Sequence, residues 1–185
     1  MIKKVNVVVG SFLTQFMIVG MLFTYGVLMT ELEKEFGWSR TILSSIGAAG
    51  WLAWGIFAIP GGYLNDRLGP KIVLGVNGFI FGIGFILFSK SSEVWHLFLI
   101  FTFFIGTGLS THDISTLSTI AKWFESKRGL MTSIAKIGTA MGQMVMPPLI
   151  AFLIIGFGWR TATFYLGIAA SIGLILAASL MSAPN

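Results

Sequence analysis

His112, Asp113 and Lys136 are ionisable residues set inside long apolar stretches, and they are the side chains of this 185-residue chain best placed to do chemistry. A charge at the bilayer centre costs at least ~2.5–3.5 kcal/mol on insertion scales, so it faces protein or water and marks a functional position by default. Asp113 stands nine residues before Lys122 and Lys136 nine residues after Lys127, each about 13 Å from a helix end at ~1.5 Å per residue. On adjacent antiparallel helices the two share a height. This predicts an Asp113–Lys136 pair with His112 as a titratable partner, since histidine has a reference pKa of about 6.5. Lys136 is alternatively a receptor for a substrate carboxylate, and the plain reading is a buried structural ion pair. Gln15, Thr24 and Tyr25 add hydrogen-bonding groups from the first apolar run.

Other chemistries find no support in the residues. His112 and Asp113 are consecutive, so they point to different faces of a helix and do not have a metal-ligand spacing. Nucleophile motifs, phosphate loops and cofactor fingerprints are missing from the sequence, and there is no cysteine. Neither an enzyme, a metal nor a cofactor is expected.

The elements that position these residues follow from composition. Apolar residues make up 55% of the chain and charged residues 10%, with a mean hydropathy of +0.88, which predicts an integral membrane protein. A spanning helix needs about 20 mostly apolar residues. Six such runs can be drawn, Val5–Met29, Ile42–Tyr63, Ile72–Phe88, Leu97–Ile120, Leu130–Ile155 and Thr161–Met181. They predict an all-α bundle of six spans occupying residues 1–185, with no soluble domain. The first run is too long for a signal-peptide core of about 7–15 residues, so it is expected to stay as a helix.

The net charge of +5 does not point to nucleic acid, because it is sorted by side. Lys3, Lys4, Arg67, Lys71, Lys122, Lys127 and Arg128 fall at one end of the spans, and Lys34, Arg40, Lys90 and Arg160 at the other. The positive-inside rule then predicts cytoplasmic termini in a cell inner (plasma) membrane.

Between the second and third runs lies Gly62–Lys71, G-Y-L-N-D-R-L-G-P-K, expected as a tight polar turn. Gly62 would let a neighbouring helix approach, Gly69 suits a helix end needing positive φ, and Asp66 can face a helix N-terminus. Arg67 and Lys71 can pair with Asp66 or with lipid phosphates. This stretch resembles the loop between the second and third helices of the major facilitator superfamily of secondary transporters. The resemblance implies a conformational switch at Gly62, Asp66, Arg67, Gly69 and Lys71. In that family the aspartate helps lock the outward-facing state through contacts to the second half of the protein.

A second stretch, Lys122–Gly138, reads K-W-F-E-S-K-R-G-L-M-T-S-I-A-K-I-G. It resembles the cytoplasmic start of the fifth helix in monocarboxylate and oxalate/formate-type carriers, at Trp123, Phe124, Lys127, Arg128, Leu130, Ala135 and Gly138. Lys127 and Arg128 are thereby expected at a cytoplasmic gate. The outer string Glu35–Arg40 is similar to bacterial members of that group. By resemblance the chain is the N-terminal six-helix half of such a transporter, built of two inverted three-helix repeats. The implied substrate is a small organic anion such as a mono- or dicarboxylate, with alternating access and a proton as a candidate coupling ion. Its path is drawn through Gln15, His112, Asp113 and Lys136. A chain of this length is expected to be a truncated gene product, and its partners are a missing C-terminal half or a second copy, besides the lipid bilayer. The alternative is a membrane fragment or scaffold subunit that does not transport.

Overall fold

The structure is a computed structural model and describes residues 2–183, so Pro184 and Asn185, at the expected close of the last span, lie outside the described residues. Among the described residues there is no strand. Six helices are long and apolar enough to cross a membrane: α1 (Ile2–Phe36), α2 (Arg40–Leu68), α3 (Pro70–Phe88), α4 (Val94–Trp123), α5 (Arg128–Phe157) and α6 (Trp159–Leu180).

These helices outrun the apolar runs because the backbone keeps its hydrogen bonds where the side chains turn polar. α1 is interrupted once, at Thr24, and resumes as Tyr25–Phe36. This second segment carries Glu31, Glu33 and Glu35, with Lys34 paired to Glu31 one turn away at 2.7 Å. The connection between the first two apolar runs thus shrinks to Gly37–Ser39. Gly37 closes α1 at φ 67°, and the Ser39 hydroxyl caps α2 by accepting from the Ile42 N–H at 3.4 Å.

The expected polar turn Gly62–Lys71 is likewise corrected. α2 runs through Leu68, and Pro70 already occupies the first turn of α3, where a missing N–H is harmless. The connection is the single residue Gly69, at φ 83° and ψ 161°. The same device joins α5 to α6, where Gly158 sits at φ 78° and ψ 158°. Only glycine occupies that backbone region without strain. Alanine at Gly69 or at Gly158 is therefore expected to cost about 1–3 kcal/mol, read as a lowered unfolding temperature in detergent. An unchanged temperature for both would refute the assignment.

The paired connections reflect an internal symmetry. The helix pairs that pack together include α1 with α5, α2 with α4, α1 with α6, α3 with α4, and α3 with α6. Exchanging helices 1–2–3 for 4–5–6 turns this set into itself. This is the packing of two inverted three-helix repeats. The symmetry aligns Leu68-Gly69-Pro70-Lys71 with Phe157-Gly158-Trp159-Arg160, and not the two F-G-W strings Phe36–Trp38 and Phe157–Trp159.

The core is layered along the bundle. One apolar cluster, including Ile18, Met21, Phe81, Phe101, Leu109 and Met146, fills the end away from Lys3 and Lys4. A smaller one, with Val7, Leu74, Ile120, Ala135, Ala178 and Met181, fills the other end. On α1 and α4 the residues between these clusters include Ser11, Thr14, Gln15, His112, Ser115 and Thr116, all buried and polar. A polar layer at mid-height in a lipid-spanning bundle is expensive unless it is hydrogen-bonded throughout.

Candidate functional site

The centre of that layer is Gln15, fully buried on α1. Its amide nitrogen donates to Asp113 Oδ1 at 2.7 Å and to Thr116 Oγ1 at 3.1 Å, both on α4. Its amide oxygen accepts from Thr139 Oγ1 at 2.8 Å and from Lys136 Nζ at 3.4 Å, both on α5. Lys136 Nζ also donates to Asp113 Oδ1 at 2.5 Å. One amide thus ties three helices together and orients both members of an ion pair.

The pair itself sits at the edge of the protein interior. The Asp113 and Lys136 side chains keep 33% and 38% of their accessible surface, enough to be reached from a cavity. His112 is buried beneath them. Its Nδ1 lies 2.6 Å from the Leu109 carbonyl, which can only accept, so Nδ1 carries the hydrogen. Nε2 is left facing Asp113 Oδ1 at 3.6 Å. The imidazole also packs against the Trp54 indole, with ring centroids 5.9 Å apart.

Asp113 and Lys136 line a cavity of about 190 Å³ with Val19, Trp51, Trp54 and His112. A second opening of about 470 Å³ shares Trp51, Trp54 and Asp113 and continues past Gly55 and Ser110. The flanking helices α2 and α5 are poorly covered by the bundle. Only 22% and 17% of their most apolar windows is buried, against 44–50% for the other four helices. At mid-height of the bundle the cavity is thus lined by a cation, a carboxylate and two indoles.

The other residues singled out in the sequence lie elsewhere. Asp66 reaches Lys122 on α4 at 3.8 Å, not Arg67 or Lys71. Arg67 lies over the Tyr63 ring, 4.4 Å from its centroid, and Lys71 is exposed. Gly62 has room, since a Cβ would meet Ile114 only at 3.9 Å; it is Gly61 that α4 crosses, where a Cβ would lie 2.6 Å from Thr111 Cγ2. Lys127 and Arg128 are exposed at the start of α5, two turns and more below Lys136. The structure brings together Gln15, His112, Asp113 and Lys136, and leaves the charges at the helix ends apart from them.

Sequence reasoning missed Thr116, Thr139, Trp51 and Trp54. A signal was present for the two threonines, each three residues after a charge (Asp113 and Lys136) and so on the same helical face. Two hydrogen bonds also escaped notice, the buried Ser115 Oγ to Asn65 Oδ1 and the half-buried Asn77 Nδ2 to Thr111 Oγ1, each at 2.6 Å. At the far end Arg160 binds the Ser89 and Ser91 carbonyls at 3.0 and 2.9 Å and Glu35 at 2.8 Å, joining α1, α3 and α6.

Comparison with known proteins places this geometry among membrane carriers. The sequence profile of the Major Facilitator Superfamily matches residues 11–185. An agnestins efflux protein of Paecilomyces divaricatus is 30% identical over 88% of the chain and 39% of its own length. Monocarboxylate transporter 14 of Homo sapiens is 27% identical over 94% of the chain and 34% of its own length. Monocarboxylate transporter 13 of Rattus norvegicus is 27% identical over 95% and 41%. The chain therefore spans about two-fifths or less of these relatives, none of which is an enzyme by name. An inward-open conformation of the xylose transporter XylE from E. coli superposes with a TM-score of 0.70 at 19% identity, over 98% of this chain and 48% of that one.

Proposed function

The chain belongs to the Major Facilitator Superfamily, and on that premise we propose that residues 1–185 form one six-helix half of a secondary transporter for a small organic anion, a mono- or dicarboxylate. The observation that carries the reading is the Lys136 ammonium held against Asp113 on the wall of a mid-membrane cavity. A carboxylate substrate and Asp113 compete for the same cation. When Asp113 takes a proton, the charge that holds Lys136 is removed and the ammonium turns to the substrate. The anion and the proton then enter together, and His112 is the neighbouring group through which the proton is relayed. The monocarboxylate transporters among the relatives support this substrate class by name.

The second wall is a further six-helix bundle, either the C-terminal half of a longer transporter or a second copy, packed on the exposed faces of α2 and α5. Access alternates as the two bundles rock about the site. Asp66 exchanges Lys122 for a partner on the second bundle as the basic end closes, beside Lys127 and Arg128. Positive charge at the Lys3–Lys4 end supports a cytoplasmic position for that end, in a cell inner (plasma) membrane.

The test is uptake of radiolabelled mono- and dicarboxylates into proteoliposomes holding the transporter that contains this chain, with and without an acid-outside gradient. Carboxylate uptake accelerated by the gradient is expected, and Asp113→Asn is expected to abolish the acceleration. Uptake of a neutral sugar, with no carboxylate uptake under any gradient, would overturn the reading.

A further inference from the structure

We infer that the cleft between the start of α1 and the α4–α5 connection is a binding site for a phosphate group, and that the phosphate belongs to an anionic lipid head group. The cleft has a volume of about 520 Å³ and is lined by Lys4, Lys122, Lys127, Ser126, Phe124 and Glu125. Three lysines from three separate segments line it. Among the described residues Glu125 is the one carboxylate in the lining, and Asp66 lies 3.8 Å from Lys122. Positive charge is in excess even after both are counted.

Two contacts brace the cleft. Trp123 Nε1 donates to the Ser182 carbonyl at 2.6 Å, tying the end of α4 to the end of α6. Lys4 Nζ stands over the Phe124 ring, 5.5 Å from its centroid, so the ring holds the lysine stem at the rim. Ser126 offers a hydroxyl donor among the lysines. Lysine is a compact charge with three rotatable donors, suited to a phosphate that presents no fixed plane.

The position selects the source of the phosphate. The cleft lies where the apolar helix α4 gives way to its polar connection to α5, and Trp123 there is of a residue type enriched at membrane interfaces. Basic pockets between spanning helices on the cytoplasmic side meet anionic head groups, and each lysine near such a surface contributes about fivefold to affinity. The site lies two turns and more from Lys136 and rests on the cytoplasmic position of the basic end given under the proposed function, while its test reads lipid binding and not uptake.

The experiment measures binding of phosphatidylglycerol and of phosphatidylcholine to the purified full chain by native mass spectrometry, with inorganic phosphate as a separate competitor. Phosphatidylglycerol is expected to bind at least tenfold better than phosphatidylcholine. Lys4→Gln/Lys122→Gln/Lys127→Gln is expected to erase that preference, and Lys90→Gln at the opposite end to leave it intact. Glu125→Gln removes the opposing carboxylate and is expected to tighten phosphatidylglycerol binding severalfold, a gain that misfolding does not produce. Displacement of the lipid by millimolar inorganic phosphate would keep the phosphate site and overturn the lipid assignment. Equal binding of both lipids would overturn the anionic-lipid assignment, and a preference surviving in the triple variant would overturn the whole inference.

Discussion

Lys136→Met is expected to lower carboxylate uptake by at least 100-fold and to destabilise the bundle, and adding Asp113→Asn is expected to restore the stability but not the uptake. The single change strands Asp113, which keeps only the Gln15 amide as a partner at 2.7 Å. A buried polar group that loses its partner destabilises by about 1–3 kcal/mol, and the charge adds to that where water is scarce. The full penalty of a deeply buried broken pair does not apply, since both side chains retain a third or more of their surface. Neutralising Asp113 as well removes the uncompensated charge. Asparagine still accepts from the Gln15 amide, so the connection among α1, α4 and α5 survives.

The two readouts separate the transport reading from its rival. A packing-only bundle needs the pair for stability alone, so its double variant would behave like the wild type in every assay. A transporter needs the ammonium itself to meet the substrate, so the double variant should be folded and inactive. Unfolding temperature in detergent and uptake in proteoliposomes, on the same preparations, decide between them. Wild-type uptake by a stable double variant would remove Lys136 from the substrate path.

Periodicity and depth made the helices and the height of the charges legible in the sequence, whereas lateral packing was not. Nine-residue offsets from Lys122 and Lys127 are a property of the chain alone, and they bring Asp113 and Lys136 level. That Gln15 stands between them depends on how α1 crosses α5, which no local pattern records. The helix ends were misjudged for a similar reason. Apolar runs mark the stretch that hydrocarbon requires, but the backbone of a helix continues as long as its hydrogen bonds do. Asn65, Asp66 and Arg67 therefore belong to α2, although their side chains suggest a turn. The single-glycine connections at Gly69 and Gly158 were half visible: the first from the need for positive φ, the second hidden inside an F-G-W string that matched a different loop.

The crossing that sequence did not reveal carries the second large effect. Gly138→Ala and Gly142→Ala on α5 are expected to lose most of the uptake together with several degrees of thermal stability. A Cβ at Gly138 would overlap the Phe12 carbonyl oxygen, and one at Gly142 the Phe16 carbonyl oxygen of the same facing helix. The obstacle in each case is backbone, so no rotamer change relieves it and α1 must move away. Without a strong apolar drive between helices in lipid, association rests on this close approach. Overpacking of this kind costs about 1–3 kcal/mol. Gln15 lies on α1 between Phe12 and Phe16, and Lys136 and Thr139 flank Gly138 on α5. The same displacement therefore stretches the 2.8 Å Thr139–Gln15 and 3.4 Å Lys136–Gln15 contacts. Gly156 provides the control, being a glycine of the same helix with nothing within 4 Å of an added Cβ. Alanine there should be neutral or stabilising by up to about 1 kcal/mol. Equal tolerance at Gly138, Gly142 and Gly156 would mean that the α1–α5 crossing does not set the geometry of the ion pair.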